Sequence, residues 1–203
     1  MPAPFLLVVA GPNGSGKTTL TNYLRRSGLE FGEYINPDDI APTLRGSYDA
    51  RVREAQRIAD DLRDACLAQR RDFSFETVMS HPGKIEIIQR ARDAGFETTL
   101  FFVGTEAPEI NVARVGQRVA LGGHDVPDEK IIARYNRSMA LLPDAIRAAH
   151  RAFIFDNSAV GTIANASPRL LVEIDNQDGH PRIVRGSLNG AAWASRLIQP
   201  MIG

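Results

Sequence analysis

Phe5–Thr18 reads FLLVVAGPNGSGKT. Its first six residues are apolar at every position, the pattern of a parallel strand covered on both faces rather than of a half-exposed one. Gly11–Thr18 then matches G-x-x-x-x-G-K-[ST] in full. At average residue usage that pattern arises by chance in under about one per cent of chains this long. The glycines let the backbone curl so that successive N–H groups point inward at phosphate oxygens, and a helix opening near Lys17 aims its positive end at the same anion. A lysine at this position reaches the β and γ phosphates, and the Thr18 hydroxyl ligates Mg²⁺. Gly11, Pro12, Asn13, Gly14, Ser15, Gly16, Lys17, Thr18 and Thr19 are therefore the expected nucleotide-binding segment.

Strands and helices alternate outward from this stretch. A helix is expected over Lys17–Arg26, a short strand over Glu33–Asn36 stopped by Pro37, and a helix from Ser47 to Arg71. That long helix carries Val52, Ala55, Ala59, Leu62 and Cys66 on one apolar stripe. Strands over Phe73–Thr77, Phe96–Gly104 and Arg151–Asp156 are separated by helices over Gly83–Ala94, Pro108–Leu121 and Pro127–Ala149. Gly95 fits the residue that closes the Gly83–Ala94 helix. Leu170–Ile174 and Arg182–Val184 flank the polar turn Asp175–His180, and Ala191–Ile202 reads as a last helix containing Trp193. Alternation from residue 5 to 156 implies an α/β fold, a P-loop kinase-like, mainly parallel sheet flanked by helices. A helical lid over about 107–137 and a C-terminal edge hairpin plus helix over about 167–203 complete one expected domain, 1–203.

The 203 residues can bury roughly 70% of their unfolded surface, so the fold needs no staples. Twenty-four basic residues balance twenty-four acidic ones, which argues against a protein that coats nucleic acid. The single cysteine, Cys66, excludes an internal disulfide framework and a cysteine-built metal site. Phe5–Ala10 is too short for a signal peptide or a membrane span, and no other apolar run approaches the ~20 residues a spanning helix needs. A cytoplasmic protein is expected.

The loop does not say what its nucleotide is for. There is no N-K-x-D sequence of a GTPase and no L-S-G-G-Q sequence of a transporter-type ATPase. Isolated acids and scattered arginines in the style of a small kinase stand in their place. Ligands in open α/β sheets bind outside the carboxyl ends of the strands, where Asn36-Pro37-Asp38-Asp39 and Glu76-Thr77 fall. Asp38 or Asp39 either orients an acceptor hydroxyl, or caps the next helix or shapes a turn after Pro37. Glu76 either holds a metal-bound water or sugar hydroxyl, or merely marks where the strand meets solvent. Arg114 and Arg118 share one helix face with Asn111, and Lys130, Arg134 and Arg137 form a second stripe. Joined by Gly122-Gly123-His124, these faces suit either a phosphate-clamping lid or a solvated surface. His124 contacts phosphate or substrate, or caps its turn. His81, His150 and His180 have no partners at metal-ligand spacing and read as surface residues.

Gly11–Thr18, Ile35-Asn-Pro-Asp38, Glu76-Thr77 and Asn111–Tyr135 with Gly122-Gly-His-Asp-Val-Pro127, taken in this order, resemble the zeta toxin family over about residues 5–156. That family consists of P-loop kinases related to UDP-N-acetylglucosamine kinases. The resemblance implies an ATP- and Mg²⁺-dependent kinase whose small-molecule acceptor is a UDP-amino sugar, with an antitoxin protein that blocks the nucleotide site as partner. It makes Lys17 the phosphate lysine, Asp38 the base, and Arg118 a clamping arginine, with Asp39 out of register. Glu76 falls in the substrate and metal region, the metal set being Thr18 and Glu76. Asp38, Glu76, Thr77 and His124 form the substrate set. The chain departs where some members carry a second arginine shortly before a proline. Here His124 stands in that place, and Arg134 supplies the charge. Two other readings stand beside this one. A polynucleotide 5′-kinase would want an extended basic groove, and an interaction module would use nucleotide to order Gly122–Pro127 for a partner protein.

Overall fold

A computed structural model describes residues 2–122, 126–159 and 168–202. Seven strands form one sheet: β1 (Phe5–Ala10), β2 (Glu33–Ile35), β3 (Phe73–Thr77), β4 (Glu97–Gly104), β5 (Arg151–Asp156), β6 (Arg169–Asp175) and β7 (Arg182–Gly186). Their order is β2-β3-β1-β4-β5-β6-β7. β1 to β5 are parallel, whereas β6 and β7 run antiparallel to their neighbours. The helices are α1 (Lys17–Arg26), α2 (Pro37–Ile40), α3 (Tyr48–Gln69), α4 (Gly83–Asp93), α5 (Pro108–Ala120), α6 (Asp128–Ala148) and α7 (Ala192–Ile198).

β1 lies between β3 and β4, so the connections leave it in opposite directions and open a crevice at its carboxyl end. Its unbroken apolar run has the expected cause. Leu6, Val8 and Ala10 enter a large core with α3, α4, α6 and α7, while Leu7 and Val9 enter a smaller one with Leu20 of α1 and Phe101, Val103 and Phe155. On that second face Phe101 and Phe153 stack with centroids 5.1 Å apart, so β4 and β5 are held by an aromatic pair as well as by their ladder.

Sequence and structure differ at several edges. Asn36 leaves β2 because its side chain accepts the backbone N–H of Asp38 and caps α2, with Pro37 in the first helical position. Ser47 caps α3 instead of lying in it, and Arg70 closes that helix in the left-handed region at φ 52°. On α3 the expected apolar stripe holds at Ala55, Ala59 and Cys66, which are buried, and at Leu62, which packs against the core, but it departs at one end and takes in an arginine. Val52 is 36% exposed, while Arg63 is buried with its guanidinium 5.1 Å from the centre of the Phe75 ring. A flat, weakly hydrated guanidinium can lie on an aromatic face where an apolar side chain would otherwise sit. His150 is not a free surface residue, because its Nδ1 accepts the backbone N–H of Thr98 at 3.2 Å. Burial lowers its pKa. The hairpin strands are longer than expected, and the last helix gives way to a short 3₁₀ turn over Gln199–Met201.

Candidate active site

Five parallel strands end at one edge of the sheet, and each delivers part of the site. After β1, Gly11–Gly16 curls into α1. Gly16, at φ +103°, is the residue before that helix, and a Cβ there would lie 2.5 Å from Asn157 Nδ2. Only glycine fits this backbone and this approach. No side chain caps α1 and its first turn has no acid, so its leading N–H groups stay available to an anion. The loop is held from outside at two carbonyls. Asn111 of α5 donates to Asn13 O at 2.5 Å, and Asn157, just after β5, donates to Ser15 O at 2.8 Å. Thr105 donates to Asn111 Oδ1, and Tyr135 of α6 donates to Thr105 O at 2.6 Å. The cradle is thus preformed by hydrogen bonds from α5 and from the residue after β5, the first of them held in turn through Thr105 by α6.

Lys17 Nζ donates to Gly11 O at 2.9 Å and Pro12 O at 3.0 Å, on the rim of the same cradle. Burial pushes its pKa down to about 8. The charges of Glu76 and Asp38 oppose that shift, and those of Arg118 and Arg134 add to it. Four residues from β3, α2, α5 and α6 therefore surround one ammonium group.

Glu76 is paired in register with Val9 of β1, one residue before the end of β3. Its Oε1 accepts the Thr21 hydroxyl at 2.6 Å and the Tyr34 hydroxyl at 2.9 Å, and its Oε2 accepts the Thr18 hydroxyl at 3.3 Å. Glu76 is therefore not merely where β3 meets solvent. Asp38 is exposed on the first turn of α2, and the capping alternative for it is overturned because Asn36 makes the cap.

A cavity of about 540 Å³ opens over this edge. Lys17, Thr18, Asp38, Glu76, Arg118 and Arg134 all line it, as do Asn13, Gly14 and Thr77. Asp39 does not line it, nor does Thr19, which is exposed on α1. The Thr77 hydroxyl also accepts the Met79 N–H at 2.9 Å, and the Thr77 carbonyl accepts the Gly11 N–H at 3.2 Å. The two basic stripes split. Arg134 lies 3.5 Å from Asn13 Oδ1. Arg114, by contrast, donates to Ala159 O at 3.1 Å, Arg137 donates to Ser80 O at 3.2 Å, and Lys130 is exposed away from the cavity. His124 lies outside the described residues.

Among the contributors that escaped the sequence reading are Asn157 and Thr105, which hold the loop, Tyr34 and Thr21, and Arg63, which lines the cavity from α3. Tyr34 sits in a three-residue strand, and its link to Glu76 exists only because β2 pairs with β3.

The residues fit nucleotide phosphates and a hard divalent cation. The Ser15 hydroxyl is buried in the loop with no hydrogen-bond partner among the described residues. Among the described residues no group of three or more His, Cys, Asp or Glu could hold a metal. The oxygen pair of Thr18 and Glu76 suits Mg²⁺, which keeps several waters and takes substrate phosphates as ligands.

The sheet order and this loop define a P-loop, kinase-like α/β fold. The zeta toxin family model matches residues 1–166, and the chain belongs to the zeta toxin family. It is 31% identical over 127 residues to an uncharacterized protein of Haemophilus influenzae, covering 62% of this chain and 88% of that one. Among solved structures it is similar to the AvrRxo1-ORF1:AvrRxo1-ORF2 complex with sulphate ions, at TM-score 0.69 and 16% identity over 98% of this chain. This chain spans 65% of the length of that one. It is also similar to the PezAT chromosomal toxin–antitoxin system of Streptococcus pneumoniae, at TM-score 0.66 and 13% identity, covering 97% of this chain and 79% of that one. Among the described residues no helix is long and apolar enough to cross a membrane.

Proposed function

We propose that this protein is a cytoplasmic kinase that uses ATP and Mg²⁺ to phosphorylate a hydroxyl of a small acceptor, a UDP-amino sugar being the leading candidate. One observation carries the reading. A lysine, two arginines, an exposed carboxylate and a threonine–glutamate oxygen pair converge from different elements on one cavity at a P-loop. In phosphoryl transfer the protein contributes mainly position and charge, and this set has the members for both. Lys17 and the helix terminus would hold the phosphates, with Arg118 and Arg134 meeting negative charge from α5 and α6. Thr18 and Glu76 would hold Mg²⁺, which when bound supplies charge neutralisation. Asp38, exposed and without a capping duty, would orient the acceptor hydroxyl and take its proton. The α5–α6 pair would act as the lid of a single domain. A protein antitoxin covering the nucleotide site is the partner this reading favours.

The test is direct. Protein incubated with γ-labelled ATP, Mg²⁺ and UDP-N-acetylglucosamine should yield labelled nucleotide sugar, with a 5′-hydroxyl RNA oligonucleotide staying unlabelled. Asp38→Asn should lower transfer ~10²- to 10⁴-fold while ATP affinity stays within about twofold. Label appearing in the oligonucleotide would replace the acceptor with a polynucleotide. Label in no acceptor, with ATP still bound, would favour a nucleotide-dependent interaction module.

A further inference from the structure

Glu76 accepts three side-chain hydrogen bonds at the edge of the cavity, and two of the donors lie behind it. Neither Tyr34 nor Thr21 lines the cavity. Both nevertheless hold Oε1, at 2.9 and 2.6 Å, and that atom is thereby occupied from the rear. Only Oε2 is turned toward Thr18, at 3.3 Å.

The tyrosine is itself fixed. The Arg25 guanidinium of α1 lies 4.1 Å from its ring centre, and Phe31 meets the ring edge-on at 6.1 Å. Register adds a third constraint, with Tyr34 opposite Ser74 of β3, two residues before Glu76. An ionised carboxylate only accepts, so the Tyr34 hydroxyl is the donor of this pair.

We infer that Tyr34 and Thr21 are positioning residues that act through Glu76, holding one carboxylate oxygen so that the other faces Thr18 and the cavity. A carboxylate free to rotate would present its oxygens in several orientations, of which one matches the Thr18 site. Two donors on one oxygen select that orientation before any ligand arrives. Groups of this kind, one step removed from the reacting atoms, typically change activity by ~10- to 100-fold when removed.

The inference rests on the kinase reading for its kinetic part, and its structural part can be tested without turnover. Tyr34→Phe keeps the ring, its stacking on Arg25 and its contact with Phe31. In a high-resolution crystal structure of the ligand-free variant, the Glu76 carboxylate should occupy more than one orientation. In kinetics, kcat should fall ~10-fold with KM for ATP within about twofold, and the ligand-free Tm should stay within about 2 °C. In a Glu76→Gln background the same change should have less than about a twofold further effect, because the tyrosine acts only through that carboxylate. Thr21→Val, which removes the other donor, should repeat the pattern.

A single unchanged Glu76 orientation in Tyr34→Phe would overturn the inference. So would an equal loss of kcat with and without Glu76, or a rise in KM in place of the fall in kcat. If the wild-type protein transfers phosphate to no acceptor, the kinase reading fails, and the crystal structure of the variant still decides whether Tyr34 positions Glu76.

Discussion

The Lys17 ammonium is desolvated by burial, which the charges of Glu76 and Asp38 offset only in part and those of Arg118 and Arg134 reinforce, so without phosphate it is a poorly stabilised cation. Its pKa near 8 in the ligand-free fold, against 10.5 for an ordinary lysine, has consequences of definite sign. Below pH 8 the folded protein holds a charge it disfavours. Between 8 and 10.5 the unfolded chain binds more protons than the folded one, so this group makes stability rise with pH there. Nucleotide phosphates favour the protonated form. Above pH 8, therefore, binding must take up a proton, and affinity should fall by up to about tenfold per pH unit. Calorimetry of Mg-ATP binding at pH 7.5 and 9.5 should show this fall, and buffers of different ionisation enthalpy should report the proton taken up. Lys17→Met should bind ATP far more weakly, lose that pH dependence, and melt at or above the wild-type temperature in the absence of nucleotide. Unchanged ATP affinity in the variant would remove the lysine from the site.

At the level of elements, α5 and α6 carry more basic residues than the cavity uses. Arg118 and Arg134 line it, whereas Arg114 is tied to Ala159 O and Arg137 to Ser80 O. In the proposed lid, Arg118→Ala and Arg134→Ala should each lower kcat by ~10³-fold, with ligand-free Tm nearly unchanged because neither anchors the core. Arg137→Ala should leave kcat within about threefold, since its guanidinium is engaged with Ser80 O and does not itself line the cavity. Steady-state kinetics beside thermal melts separates the two groups, and retained activity with a large drop in Tm would make Arg118 and Arg134 structural. Helical spacing placed all these arginines on plausible faces but could not say which neighbour each would meet. The same limit explains Arg63, which occupies the stripe position between Ala59 and Cys66 because Phe75 lies beneath it. What the sequence carried well was whatever depends on local pattern. FLLVVA is apolar throughout because both faces are covered, and the boundaries of α1 and α3 to α6 fell within one or two residues because capping and glycine signals are local, whereas α2 was not expected and α7 stops at Ile198, four residues short. Asp38 and Glu76 were legible for the topological reason that strand ends face ligands. The Tyr34–Glu76 link was not, since it depends on a long-range strand pairing.

Over the whole molecule, the match to the family model ends at residue 166, yet the segment beyond it reaches back to the phosphate loop. Trp193 of α7 is fully buried against Phe102, and its ring fills the space over Gly104, where a Cβ would lie 2.4 Å from it. Its indole N–H donates to Asp156 Oδ1 at 2.9 Å, and its backbone N–H donates to Glu106 Oε2 at 3.3 Å. Asp156 precedes Asn157, which holds Ser15 O, and Glu106 follows Thr105, which holds Asn111. One residue of the C-terminal helix, through its ring and its backbone N–H, thus braces the ends of β4 and β5, which lead into the residues that hold the P-loop, Asn157 directly and Thr105 through Asn111. Trp193→Ala should cost about 3–5 kcal/mol for the lost packing, a fall of roughly 10 °C in Tm for a chain of this size. It should also weaken ATP binding, because the clamps lose their footing. Trp193→Phe, which keeps most of the apolar contact but not the bond to Asp156, should recover most of the Tm and less of the affinity. Melting curves and calorimetry on the three proteins decide between this view and a C-terminal unit that merely decorates the sheet edge. In the latter case Trp193→Ala would lower Tm and leave ATP affinity untouched.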